Sequence, residues 1–149
     1  MIEAIRSASI IYLDSAPLIY YIQDNKKFSG LIHPIIEAIA RGEKAGVTSY
    51  LTLLELLVMP FKKKREDLAI KYSHVLLKSP HMRLLPVGES VAQEAARIRA
   101  SYPFIRTPDA VQLASAKVSQ ADIFITNDKR LRGFKEVRML VLSEHLGKR

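Results

Sequence analysis

Short β-branched and apolar runs alternate with longer amphipathic stretches along the whole chain. That alternation limits the fold more than any other feature, because it is the pattern of a parallel sheet whose strands are joined by covering helices. The expected strands are Ser9 to Leu13, Ala45 to Thr48, Met82 to Val87, Asp122 to Ile125 and Val137 to Leu142. Each is brief and apolar, as strands covered on both faces are. Ser15 to Gln23, Ser29 to Arg41, Ser49 to Pro60, Glu66 to Lys78, Glu89 to Tyr102 and Pro108 to Ser119 read as helices. Thr107 is placed to cap the last of these, with Pro108 at the first helical position, and Ser49 to cap the leucine-rich one. The two helices joined at Lys62-Lys63-Lys64-Arg65 are expected to form an antiparallel hairpin, an arm beside the sheet. With 149 residues, 48% of them hydrophobic, and neither repeat nor low-complexity linker, residues 1–149 are expected to form one α/β domain.

Composition removes several kinds of chemistry. The sequence has no cysteine, which excludes disulfides, thiolate zinc sites and a cysteine nucleophile. A cytoplasmic setting is the expectation. Asp14 interrupts the apolar residues Ile10 to Leu13 and no small-residue cleavage site follows, against a signal peptide. No apolar run approaches membrane-spanning length, so no membrane partner is expected. Twenty-three basic residues against 15 acidic ones give a net charge of +8. That balance favours a polyanion such as nucleic acid, although solubility or an acidic protein partner would account for it equally.

Four carboxylates stand out: Asp14, Glu55, Asp109 and Asp128. Each also has an ordinary explanation. Asp14 ends the first strand and is suited to cap a helix. Asp109 sits at the second helical position, where the helix dipole favours negative charge. Asp128 is suited to an Asx turn opening a short helix. Glu55 is the sole charge between Ser49 and Phe61, with Leu51, Thr52, Val58 and Met59 at helical spacing, so it is expected on a mostly buried face. A buried carboxylate needs a cation, a proton or an ion-pair partner, such as a Lys or Arg reaching in from another helix.

The combination carries more than its members. Three of the four are expected just beyond the carboxyl end of a strand and the fourth on a helix starting at the same edge, where open parallel sheets bind ligands. Carboxylates converging without bases between them repel one another, and a multivalent cation is the natural compensation. Oxygen donors of this kind select Mg2+ or Mn2+ over zinc. The histidines His33, His74, His81 and His145 show no metal-ligand spacing.

At these same residues the chain resembles the PIN-domain family, particularly its short VapC-type toxins. The matching pieces are Ile11-Tyr12-Leu13-Asp14-Ser15, Thr48-Ser49-Tyr50-Leu51-Thr52-Leu53-Leu54-Glu55-Leu56-Leu57, Thr107-Pro108-Asp109-Ala110-Val111-Gln112-Leu113-Ala114-Ser115-Ala116 and Phe124-Ile125-Thr126-Asn127-Asp128. The resemblance implies a sheet of order 3-2-1-4-5 and a metal held by Asp14, Glu55, Asp109 and Asp128. It further implies that Ser15 and Thr126 order that site, and that the activity is that of an endoribonuclease. The expected partners are RNA, a cognate antitoxin and a second copy in a homodimer. Ala16-Pro17 departs from the family, where a second hydroxyl residue is frequent after Asp14-Ser15.

None of the four blocks contains a histidine, so activation of water falls to the metal, with in-line hydrolysis leaving a 5′-phosphate and a 3′-hydroxyl. Arg106, Lys129 and Arg130 are the expected RNA contacts. Lys62 to Arg65 and Arg132, Lys135 and Arg138 are further basic candidates. Aromatic residues make up 7% of the chain and tryptophan is absent, which favours recognition by shape and phosphate over base stacking. Leu31, Ile32, Ile35, Ile36 and Ile39 are expected as dimer contacts. A PIN nuclease of RNA processing or surveillance and a non-catalytic RNA-binding module are the competing readings. A phosphorelay receiver is disfavoured, since Asp14 has no acidic neighbour and the last strand, Leu140-Val141-Leu142, leads into Ser143-Glu144 where a lysine would be needed.

Overall fold

The computed structural model describes residues 2–147. Five strands, β1 (Ile10–Leu13), β2 (Ala45–Ser49), β3 (Met82–Leu85), β4 (Ile123–Thr126) and β5 (Arg138–Val141), form one sheet of order β3-β2-β1-β4-β5. Every neighbouring pair is parallel. The order implied by the family resemblance is therefore the observed one. The helices are α1 (Ile2–Ser7), α2 (Ser15–Ile22), α3 (Ser29–Ala40), α4 (Tyr50–Lys62), α5 (Glu66–Lys78), α6 (Glu89–Ser101) and α7 (Thr107–Val118). Short 3-10 turns follow β4 at Lys129–Gly133 and β5 at Leu142–His145.

Alternation along the strands builds a core on each face. Ile11 and Leu13 of β1, with Ile123 and Ile125 of β4, pack among Leu18, Ile32, Ile35, Ile39, Leu56 and Leu76. Tyr12 and Phe124 point the other way, among Ile98, Ile105, Ala110, Leu113 and Ala114. These two rings stack across the β1–β4 pair at 5.1 Å between centroids and 7° between planes. With both faces covered, the central strands β1 and β4 are apolar apart from Thr126, whereas the edge strands β3 and β5 carry the exposed Arg83 and Arg138.

Two expectations need correction here. Ile32, Ile35 and Ile39 are buried in the core and are not free to contact a second copy. Exposed apolar residues cluster instead on α4 and α5, with Val87, Phe104 and Val118 exposed elsewhere: Tyr50, Leu54, Val58 and Phe61 line one side of α4, and Ile70 and Leu77 project from α5. Thr107 does not cap α7 but is its first residue. Arg106 takes the capping position without a side-chain cap, and Thr107 Oγ1 accepts from Arg99 Nη1 at 3.0 Å. Ser49 does cap α4, its hydroxyl accepting from Leu51 N at 3.0 Å. That helix runs through the buried Pro60 to Lys62. Among the described residues no helix is long and apolar enough to cross a membrane.

Strand order reverses between β1 and β4: the chain proceeds outward to β2 on one side and to β5 on the other. Connections leaving the carboxyl ends of two such strands diverge and open a crevice. Asp14 follows β1 directly, and Asp128 stands two residues after β4.

Candidate active site

A cleft of about 440 Å³ lies at this crevice, and its wall includes Asp14, Glu55, Asp109 and Asp128 together. They arrive from four places. Asp14 caps α2, Glu55 lies in the second turn of α4 behind β2, Asp109 opens α7, and Asp128 caps the 3-10 turn after β4. The expectation that three follow a strand is thus met directly by Asp14 and Asp128, and by Glu55 only through its helix. Asp109 is delivered by α7, which follows α6 with no strand between.

The side chains are held by hydroxyl, amide and guanidinium groups. Thr126 Oγ1 donates to Asp14 Oδ2 at 2.7 Å, and Ser15 N donates to Asp14 Oδ1 at 2.8 Å. Ser15 Oγ donates to Glu55 Oε1 at 2.8 Å, and Gln112 Nε2 donates to the same oxygen at 3.2 Å. Arg130 grips Asp128 as a fork, Nη2 to Oδ2 at 2.6 Å and Nε to Oδ1 at 3.0 Å, and its Nη2 lies 4.0 Å from Asp109 Oδ2. With Ala at position 16, the hydroxyls on these carboxylates come from Ser15 and Thr126.

Glu55 does not sit on a buried face. It is exposed, as are Val58 and Met59 on the same side of α4, and the buried face runs through Thr52, Leu56 and Pro60. Of the neighbours at helical spacing that predict a buried face, only Thr52 is buried, Leu51 is half-buried, and Val58 and Met59 are open. In the structure α4 has one face on the core and one face open to solvent.

Electrostatics separate the carboxylates. Burial pushes the Asp14 carboxyl up to about 6, against the hydrogen bonds from Thr126 and Ser15, with further upward pressure from Glu55 and Asp109. Burial and then the charge of Asp128 raise Asp109, while Arg130 and Arg106 pull it down. Hydrogen bonding from Arg130 holds Asp128 below the ordinary carboxylate range. Acidic groups that raise one another's affinity for a proton also favour a bound cation.

The donor set fits a hard divalent ion in its chemistry, being all carboxylate and hydroxyl oxygen. The side chains are not already gathered around one point: among the described residues, no three His, Cys, Asp or Glu groups are arranged to hold a metal. Asp128 is turned onto Arg130, and Glu55 onto Ser15 and Gln112.

Of the expected RNA contacts, Arg130 lines the cleft, and the charge of Arg106 reaches both Asp109 and Asp128. Lys129 is exposed and is not part of the cleft wall. Arg132, Lys135 and Arg138 line a separate open cleft beside β5, and Arg132 pairs with Glu144. Lys62 to Arg65 are exposed at the α4–α5 turn, where Arg65 pairs with Asp67 at 2.8 Å. Among the cleft residues, Gln112, Tyr20 and Asn127 were not singled out by sequence. Asn127 Nδ2 donates to the Tyr20 hydroxyl at 3.0 Å, and its Oδ1 accepts from Ser143 N at 2.9 Å. Gln112 stands three residues after Asp109, hence on the same side of α7, the one signal that could have marked it.

The PIN domain profile matches residues 11–138. In backbone fold the chain is similar to VapBC2 from Rickettsia felis bound to a DNA fragment from their promoter (TM-score 0.71, 16% identity, covering 89% of this chain and 98% of that one). It is similar also to DNA-bound VapBC from Salmonella typhimurium (0.66, 19%, 89% and 97%). The third is VapBC-5 from Mycobacterium tuberculosis, a member of the VapBC family of toxin-antitoxin systems (0.60, 20%, 90% and 98%). No curated protein matches the sequence significantly.

Proposed function

From the premise that the chain belongs to the PIN-domain family, we propose that it is a metal-dependent endoribonuclease acting as the toxin of a toxin–antitoxin pair in the cytoplasm. The observation that carries the proposal is the convergence of Asp14, Glu55, Asp109 and Asp128 on one cleft at the strand-order reversal. A non-catalytic binding module has no use for four carboxylates in a cleft meant for a polyanion.

Asp14, Glu55, Asp109 and Asp128 would hold Mg2+ or Mn2+. Such an ion, when bound, lowers the pKa of water and offsets the charge of a phosphodiester. Thr126 and Ser15 fix the carboxylates without neutralising them, since both donate from uncharged groups. We assign Arg130 and Arg106 to orient a phosphate, a reading supported by their charges acting on Asp109 and Asp128. In the hydrolysis, a water oxygen bonds to phosphorus as the bond to the 3′ oxygen breaks. That oxygen takes a proton, giving a 3′-hydroxyl and a 5′-phosphate.

The net charge of +8 supports a nucleic-acid substrate. The apolar stripe on α4, with Leu54 and Phe61 more than half exposed, supports protein partners, which we assign as a cognate antitoxin and a second copy. The likeness to VapBC complexes supports the antitoxin.

The test is RNA cleavage by the purified full chain with Mg2+ or Mn2+, with excess EDTA, and by Asp109→Asn. Cleavage that EDTA and Asp109→Asn each abolish is the expected result. Wild-type cleavage in EDTA would remove the metal, and a wild-type rate in Asp109→Asn would remove the site.

A further inference from the structure

Behind the cleft lies a buried polar network that the carboxylates do not explain. Gln112 is 2% exposed and Thr48 and Thr52 are fully buried, as is Tyr12. Polar side chains this deep persist when their hydrogen bonds are satisfied together, and here the proton directions can be worked out. Thr48 Oγ1 lies 2.7 Å from the Leu13 carbonyl, which only accepts, so the single Thr48 proton goes there. The Thr48 and Thr52 hydroxyls are 2.8 Å apart, so the proton between them belongs to Thr52. Thr52 Oγ1 is then left to accept, and Gln112 Nε2 donates to it at 3.0 Å.

The other end of the amide is fixed independently. Tyr12, which burial keeps protonated, donates its hydroxyl to Gln112 Oε1. The amide hydrogens must therefore face the cleft. There the Glu55 carboxylate, which only accepts, takes one at 3.2 Å on Oε1, with Ser15 Oγ 3.3 Å from the same nitrogen. Swapping the amide would set its oxygen against the carboxylate.

We infer that Gln112 is a positioning residue that, locked by Tyr12 and Thr52, holds Glu55 Oε1 inward and sets the acidic cleft for a divalent cation. This rests on the metal reading above and deepens it. An uncharged donor suits the task, because it orients the carboxylate and leaves its charge for the ion. A lysine or arginine there would cancel that charge. Gln112 touches neither substrate nor metal in this role and acts through Glu55.

The experiment is calorimetric titration of the full-length protein with Mn2+, alongside thermal melting in EDTA. The proteins are wild type, Gln112→Met, Glu55→Gln and the double variant. Groups hydrogen-bonded to metal ligands typically contribute about 10- to 100-fold in metal affinity, so Gln112→Met is expected to weaken Mn2+ binding by about that factor. In the Glu55→Gln background the same change is expected to cost almost nothing further, since its effect runs through Glu55. Losses that multiply independently, or wild-type affinity in Gln112→Met, overturn the inference. Should Gln112→Met fail to fold, Tyr12→Phe keeps the ring stacked on Phe124 and removes the hydroxyl that locks the amide. It is expected to weaken Mn2+ binding in the same direction, and unchanged affinity there overturns the inference. If wild-type protein binds no Mn2+ at all, the metal reading falls and this one with it. Binding by the wild type with additive losses sinks this one alone.

Discussion

Thr126 Oγ1 donates to Asp14 Oδ2 at 2.7 Å and joins the carboxyl end of β4 to that of β1 across the strand-order reversal. The same oxygen accepts from Asp128 N at 3.1 Å, so one hydroxyl positions two of the cleft's four carboxylates. The hydroxyl itself carries no charge, and both roles depend on the Oγ1 atom.

Thr126→Val, which keeps the shape of the buried side chain, is therefore expected to reduce cleavage about 10- to 100-fold. Its stability cost should be about 1–3 kcal/mol, because the Asp128 amide loses its acceptor. Thr126→Ser should recover most of the activity. Equal rates for the valine and serine variants would show that the hydroxyl is idle.

The raised carboxyl of Asp14 predicts a pH dependence of stability. Folding lifts it from 3.8 to about 6, so the folded state binds this proton more tightly than the unfolded chain does. The stability it contributes is complete below the unfolded value and is lost as pH rises through about 6. Asp109 is shifted in the same direction, and the lowered carboxyl of Asp128 acts only at more acid pH. In EDTA the melting temperature should fall by several degrees between pH 5 and 7, and Mg2+ should restore it at pH 7. Asp14→Asn is expected to flatten that slope. A slope as steep in the variant as in the wild type would assign it to other groups.

Asp14 and Asp128 were legible in the sequence because a strand end followed by an acidic residue is a local pattern, and sheet topology converts it into proximity. The convergence of Glu55 was legible for the wrong reason. Leu51, Thr52, Val58 and Met59 at helical spacing suggest a buried face, yet Val58 is 51% and Met59 49% exposed and Glu55 lies in the open cleft. Periodicity marks an apolar helix but not which of its sides meets the core when both are apolar. The role of Gln112 was hidden for another reason. Its partners Tyr12, Thr52 and Glu55 are 100, 60 and 57 residues away in sequence, and only the packed fold shows that its amide is satisfied at both ends. The cap at Ser49 follows from nearest-neighbour chemistry, and the family resemblance carried the strand order.

Arg130 links the acidic cleft to the substrate. It is 60% exposed while bridging Asp128 and Asp109, so its guanidinium can reach a phosphate without leaving a buried carboxylate stranded. Arg130→Gln should weaken RNA binding, measured in EDTA to prevent cleavage. The slope of log affinity against log salt should become shallower by about 1, as for the loss of one phosphate contact. An unchanged slope would confine Arg130 to its ion pairs.

The stripe on α4 yields a prediction that separates association from folding. Tyr50, Leu54, Val58 and Phe61 are 46%, 59%, 51% and 58% exposed, and they recur at the helical spacing that makes one continuous side. Substitutions at such positions usually change stability by no more than about 0.5 kcal/mol, so a charge placed there tests an interface and not the core. Leu54→Asp combined with Val58→Lys is expected to leave the melting temperature within about 2 °C of wild type. It should convert a dimer to a monomer by light scattering and abolish co-purification with the cognate antitoxin. Dimerisation lost with antitoxin binding intact would assign the stripe to the second copy alone, and the reverse pattern would assign it to the antitoxin. Both interactions persisting would move the interface off α4 and leave Ile70 and Leu77 on α5 as the next side to charge.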